Sequence, residues 1–162
     1  MATNSTGIIA RAHPETRFLL VGDGPLRPQV EALLQQEGIA ERTLLIGLRR
    51  DAARMLAAMD IFLLTSLWEG LPRVIPQAMA MRLPVVANQA DGTLEAIQPG
   101  ETGYLCQPGD IASLVAHCIH LIEHPEERQA MGEKGRAFAT QEFDLNRMIE
   151  QIEELYEGLA RG

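Results

Sequence analysis

Five short apolar runs constrain this chain more than any other feature: FLLVG at 18–22, TLLIG at 43–47, IFLLT at 61–65, PVVA at 84–87 and GYLC at 103–106. None alternates apolar with polar residues, so none reads as a strand with one wet face. Continuous apolar runs of this length are what strands buried on both faces of a parallel sheet require. Parallel strands need crossover connections, and helical patterns fill the intervals between the runs. The alternation predicts a doubly wound, Rossmann-like α/β fold.

The intervals carry their own signals. Leu26, Val30, Leu33 and Leu34 share a helical face that Gly38 closes, and Ala52, Met55, Leu56 and Met59 form the stripe of a short helix after Asp51. Beyond the last run the chain turns helical. Asp110 caps a helix carrying Ile111, Leu114, Val115, Cys118, Leu121 and Ile122 that Pro125 ends. A second helix covers about 126–139, and a third follows Asp144. The third bears the most regular apolar stripe of all, Leu145, Met148, Ile149, Ile152, Leu155, Tyr156 and Leu159, and is expected to pack against the sheet or a neighbouring domain. At the front, Ile8, Ile9 and Ala12 mark the last turns of a helix stopped by Pro14. Residues 1–7 read as a flexible end or a cloning remnant, leaving 8–162 as one domain.

Composition narrows function by exclusion. A net charge of −8 repels nucleic acid and anionic membrane surfaces. Only two cysteines and no secretory apolar segment point to a cytoplasmic, reducing compartment, with Cys106 and Cys118 as thiols. No apolar run approaches the ~20 residues of a membrane span.

Several chemistries fail on spacing. Val21-Gly22-Asp23-Gly24-Pro25 follows a strand and opens a helix, yet Arg27 stands where the dinucleotide fingerprint needs its third glycine. Its glycines still let a ligand or backbone come close. His117, His120 and His124 share a helix without a converging carboxylate cluster, so a metal site is not expected. The chain holds no Asp-x-Asp pair, no Gly-x-Ser-x-Gly elbow and no Walker A loop. What remains is Ser66 to Asn88, SLWEGLPRVIPQAMAMRLPVVAN. There Glu69 precedes a Gly70-Leu71-Pro72 turn and the free N–H groups of a helix start, a carboxylate beside an anion site. That pairing suits a ligand with both hydroxyls and phosphates.

Glu69-Gly70, Gln77-Ala78-Met79-Ala80, Leu83-Pro84-Val85-Val86, Gly92, Glu95, Gly100, Gly103 and Pro108-Gly109-Asp110 occur in an order that resembles the C-terminal domain of the retaining GT-B glycosyltransferases of group 1. VGDGP and Asp60 with its following strand fit the same pattern, from about Ala10 to the C-terminus. The resemblance implies a domain that binds a nucleotide-sugar donor, without a metal cofactor, while a preceding domain binds the acceptor. It implies that Glu69 is the catalytic-site carboxylate holding donor-sugar hydroxyls. Gly22, Gly24, Leu48, Gly70, Leu71, Arg73 and Gln77 are the expected donor-binding residues, the Gly70 and Leu71 N–H groups facing the diphosphate.

Three departures from the family pattern stand out. Gln77 occupies the place of the glutamate that holds the nucleotide ribose, and Arg82 replaces a glycine. An amide makes a weaker hydrogen bond than a carboxylate, about 0.5–1.5 against 1.5–3 kcal/mol. The family's first strand, most of its first helix and their two diphosphate-neutralising cations have no counterpart here. Arg27, Arg49, Arg50 and Arg73 are the nearby cations, Arg73 the favoured substitute. With the central strand missing, the flanking strands are expected to pair directly, or another chain or a swapped segment is expected to fill the sheet. The expected function is the donor half of a hexose-transferring enzyme, inactive alone, whose partners are the donor, the missing acceptor domain or a completing chain, with peripheral membrane association of the full enzyme allowed. A non-catalytic assembly or nucleotide-binding module is the alternative. A receiver-like regulatory domain is disfavoured by the lack of an acidic cluster at strand ends.

Overall fold

The computed structural model describes the backbone of residues 2–161 and the side chains from Ser5 onward. All five apolar runs form strands: β1 (Phe18–Leu20), β2 (Thr43–Leu45), β3 (Phe62–Leu64), β4 (Val85–Asn88) and β5 (Gly103–Cys106). Helices α1 (Ala2–Ala12), α2 (Arg27–Gln36), α3 (Ala52–Leu56), α4 (Val74–Ala80) and α5 (Thr93–Ala96) alternate with them. Then α6 (Ile111–Glu123), α7 (Pro125–Glu142) and α8 (Leu145–Ala160) complete the chain.

Every strand pairing is parallel, but the strands form two sheets, β1-β2 and β3-β4-β5. Direct pairing of the strands that flank the gap, one of the expected outcomes, does not occur. Helix α1 lies across the two sheets. Its Ile9 joins the apolar cluster of Val86, Cys106, Leu114 and Leu121, while Ala10 packs with Leu34 and Ile39. Helix α1 is thus seated against both sheets. Burial on both faces, expected of all five strands, holds fully only for β4; β1 and β3 are half-buried throughout, and Leu44 of β2 is exposed. Strands on either side of an unpaired interval lack one neighbour's cover.

The front of the chain also differs from expectation. Residues 2–7, expected as a flexible end, belong to α1, and Ser5 and Thr6 are buried. Two small hydroxyl residues carry no helical stripe of their own, so their burial comes from tertiary packing.

Local signals held where a side chain meets the nearest backbone. The Asp110 carboxylate accepts from the Ser113 N–H at 3.0 Å, and Asp144 accepts from the N–H groups of Asn146 and Arg147 at 2.9 and 3.0 Å. Gly38 ends α2 at φ +68°, and Pro125 sits at the first turn of α7. Arg82, in place of the expected glycine, has φ +60° and pairs with Glu133 at 2.7 Å. The regular stripe of α8 meets no sheet: none of its residues is buried, and Leu155, Tyr156 and Leu159 are more than 60% exposed.

Candidate functional site

The unit that carries Glu69 is built from the carboxyl ends of β3 and β4. Asn88, the last residue of β4, is buried and donates its Nδ2 hydrogens to the carbonyls of Thr65 at 2.9 Å and Ser66 at 3.4 Å. This ties down the chain just as it leaves β3. Thr93, also buried, closes the turn beyond β4: its hydroxyl lies 2.6 Å from the Ala90 carbonyl and accepts from the Ala90 N–H at 2.9 Å. That turn presents Gly92 flat against the Gly70-Leu71 peptide. A Cβ there would collide with the Gly70 carbonyl and come within 2.7 Å of the Leu71 nitrogen. Gly92 also donates its N–H to the Glu69 carbonyl at 3.5 Å. Glu69 is thereby held on a fixed loop, its side chain half-buried, with Gly70 and Leu71 exposed beside it.

Helix α4 starts at Val74 with Pro76 in its first turn, as expected, because the Ile75 N–H reaches back to the Pro72 carbonyl at 2.9 Å. Arg73 and Gln77 stand four residues apart, on one side of that start, and both are exposed. The structure therefore brings Glu69, Gly70, Leu71, Arg73 and Gln77 together on one loop and helix start.

The other expected residues lie beyond β1 and β2. Gly22, at φ +142°, donates its N–H to the Gly47 carbonyl at 2.9 Å, which no side chain at this φ would favour. The Gly24 N–H is taken by the Asp23 carboxylate at 2.8 Å. Leu48 follows Gly47 and is 81% exposed. Both groups sit at strand carboxyl ends, where ligands of open α/β sheets bind, one group on each side of the β1–β3 interval.

Electrostatics separates the four candidate cations. Arg27 pairs with Glu31 at 2.9 Å and Asp23 at 3.7 Å. Arg49 grips both Asp51 oxygens at 2.7 and 2.8 Å, and this hydrogen bonding lowers the Asp51 pKa and raises that of Arg49. Arg50 and Arg73 form no ion pair among the described residues, and Arg73 alone adjoins Glu69. The histidines have structural partners: His117 stacks on Tyr104 at 4.0 Å, and His120 meets Glu127 at 2.8 Å. Cys106 and Cys118 are buried free thiols, and burial pushes Cys118 up to about 12.

Sequence reasoning missed Asn88 and Thr93 as positioning residues and Trp68, which is 84% exposed directly before Glu69. A polar residue closing an apolar strand run, as Asn88 does, was the available signal. No described helix is long and apolar enough to cross a membrane.

Residues 4–124 match the family described as Glycosyl transferases group 1. The N-acetyl-alpha-D-glucosaminyl L-malate synthase of Bacillus anthracis is 33% identical over 91% of this chain and 39% of its own length. The UDP-Gal:alpha-D-GlcNAc-diphosphoundecaprenol alpha-1,3-galactosyltransferase of Escherichia coli is 28% identical over 88% of this chain and 37% of its own. Among solved structures, HepE of Anabaena in complex with UDP superposes with a TM-score of 0.89 at 27% identity, over 98% of this chain and 45% of that one. The chain thus spans less than half the length of these relatives. Its α/β architecture is the Rossmann-like one of GT-B glycosyltransferases, and the chain belongs to the group 1 glycosyltransferase family.

Proposed function

We propose that this chain is the donor-binding half of a retaining glycosyltransferase that moves a hexose from a nucleoside diphosphate to a hydroxyl acceptor. The observation that carries the reading is the fixed Glu69 loop, braced by Asn88 and Gly92 at the carboxyl ends of β3 and β4. A carboxylate held there accepts hydrogen bonds from two sugar hydroxyls without rearranging. The adjacent Gly70 and Leu71 backbone and the unpaired Arg73 face the diphosphate, where negative charge grows as the glycosidic bond breaks. Gln77 takes a ribose hydroxyl through its amide oxygen. Anabaena HepE, solved with UDP and with UDP-glucose, supports a uridine nucleotide as the first donor to test.

In this reading no metal takes part, and turnover needs the acceptor domain, so the isolated chain binds donor without transferring sugar. Arg27 and Arg49, already paired with carboxylates, leave the diphosphate fewer cations and weaken that binding. Titration calorimetry with UDP and UDP-glucose tests the assignment. Glu69→Ala is expected to weaken UDP-glucose about tenfold or more, from loss of a charged hydrogen bond, and to leave UDP unchanged. Equal weakening of both ligands refutes the sugar role. Binding of neither by the unaltered chain favours the alternative, a family-derived module serving assembly, which Gln77 and the paired arginines also fit.

A further inference from the structure

Helix α4 ends in a left-handed turn. The Leu83 N–H reaches the Ala78 carbonyl at 3.0 Å and the Arg82 N–H reaches the Met79 carbonyl at 2.8 Å. This pattern leaves Arg82 at φ +60°, in the place where glycine is the ordinary choice. Helix α7 packs with its backbone close against the turn. A Cβ on Gly132 would collide with the Arg82 carbonyl, and one on Gly135 would stand 3.3 Å from the Met79 Cγ. The Arg82 side chain therefore emerges beside α7, where its Nε meets Glu133 at 2.7 Å.

Glu133, Arg136 and Thr140 follow at three- and four-residue spacings along α7, so they share a face, with Gln141 adjoining. Together with Arg82 they line an open groove of about 510 Å³. Arg82 neutralises Glu133, whereas the side chains of Arg136, Thr140 and Gln141 make no hydrogen bond or ion pair among the described residues. Arg147, which donates to the Gln141 carbonyl at 2.7 Å, is balanced by Glu142 at 3.4 Å. The lining therefore holds a cation in excess, on a chain whose formal net charge is −8. Arg82 lies past the far end of α4 from Arg73 and just before β4, so the groove sits at the strand starts, away from the Glu69 loop.

We propose that this groove binds a phosphate-type dianion, free or as a monoester. The Arg136 guanidinium presents a fork of N–H donors that matches phosphate oxygens, and the Thr140 hydroxyl and Gln141 amide supply further hydrogens. The groove is larger than a bare phosphate, which leaves room for an organic substituent. The site is independent of the donor-site reading, because the two share no residue.

The test follows backbone amide shifts of the full chain by NMR during titration with phenyl phosphate, with inorganic phosphate and chloride at matched ionic strength as further arms. Shifts at Arg136, Thr140 and Gln141 are expected to saturate, with half-saturation by phenyl phosphate at about 1 mM or below. Tighter binding of phenyl phosphate assigns an ester and equal affinity assigns free phosphate; both support the site. Arg136→Gln is expected to weaken binding about tenfold or more, from loss of a charged hydrogen bond. Arg82→Gly suits the left-handed turn and keeps the fold, so its expected weakening, with Glu133 left unneutralised, does not come from unfolding. Chloride reproducing the shifts reduces them to screening and overturns the proposal. Saturation confined to Gly70 and Leu71 also overturns it, assigning phosphate to the Glu69 loop. So does Arg136→Gln binding as well as the parent, or no saturation up to about 10 mM.

Discussion

Gly92→Ala is the sharpest perturbation of the Glu69 loop. The backbone at Gly92 has φ −76°, which alanine adopts freely, so any effect comes from the added methyl rather than from the turn. That methyl would stand 2.7 Å from the Leu71 nitrogen and closer still to the Gly70 carbonyl, inside the 3.0 Å floor that Cβ contacts keep. Neither partner is a flexible side-chain tip. Relief requires the Gly70-Leu71 peptide to retreat by about 1 Å, since Thr93 pins the other side of the contact. Overpacking of this kind costs about 1–3 kcal/mol, to be read from the urea midpoint at unchanged slope. The single tryptophan, Trp68, lies two residues before Gly70 and reports the movement through its native-state emission. UDP-glucose affinity is expected to fall about tenfold or more, because a displacement of this size ruins a positioned carboxylate. A variant within about 0.5 kcal/mol of the parent, with unshifted Trp68 emission, would refute the close approach as the reason for glycine.

Three further outcomes follow from the same geometry. Asn88→Ala strands the Thr65 and Ser66 carbonyls and is expected to cost about 1–3 kcal/mol by urea denaturation, with a more mobile Trp68. Burial, then the neighbouring His120, lowers the His117 pKa below its ordinary value of 6.5, so the unfolded chain takes up a proton first and stability falls as pH drops below about 6.5. His117→Phe keeps a ring on Tyr104 and is expected to flatten that loss in urea midpoints compared between about pH 7 and pH 5. Leu155→Glu, at a position 63% exposed, is expected to shift the urea midpoint by the equivalent of less than about 0.5 kcal/mol.

What could be read ahead of the structure depended on range. The five strands announced themselves through local apolar runs, and Asp110, Asp144 and Gly38 through groups that act within four residues. The Glu69, Arg73 and Gln77 grouping was equally local, because one loop and one helix start hold all three. Pairing between strands is long-range, and no pattern in FLLVG or IFLLT states whether those strands touch. The burial of Ser5 and Thr6 depends on where α1 is seated, and the bracing of Glu69 on residues about twenty positions away, Asn88 and Gly92. An amphipathic stripe announces a helix and an apolar face; in α8 it does not say what covers that face.

The bare stripe of α8 has a thermodynamic consequence. A sixteen-residue helix without a buried side chain sits near the margin of stability that isolated peptides show in water. Its hydrogen bonds are therefore expected to open before those of the sheets, which amide exchange would read. Heating this chain is expected to give two events: helical signal drains from α8 first, and the cooperative transition that follows belongs to α1 through α7. A melting temperature taken from total ellipticity averages the two, whereas Trp68 emission reports only the second.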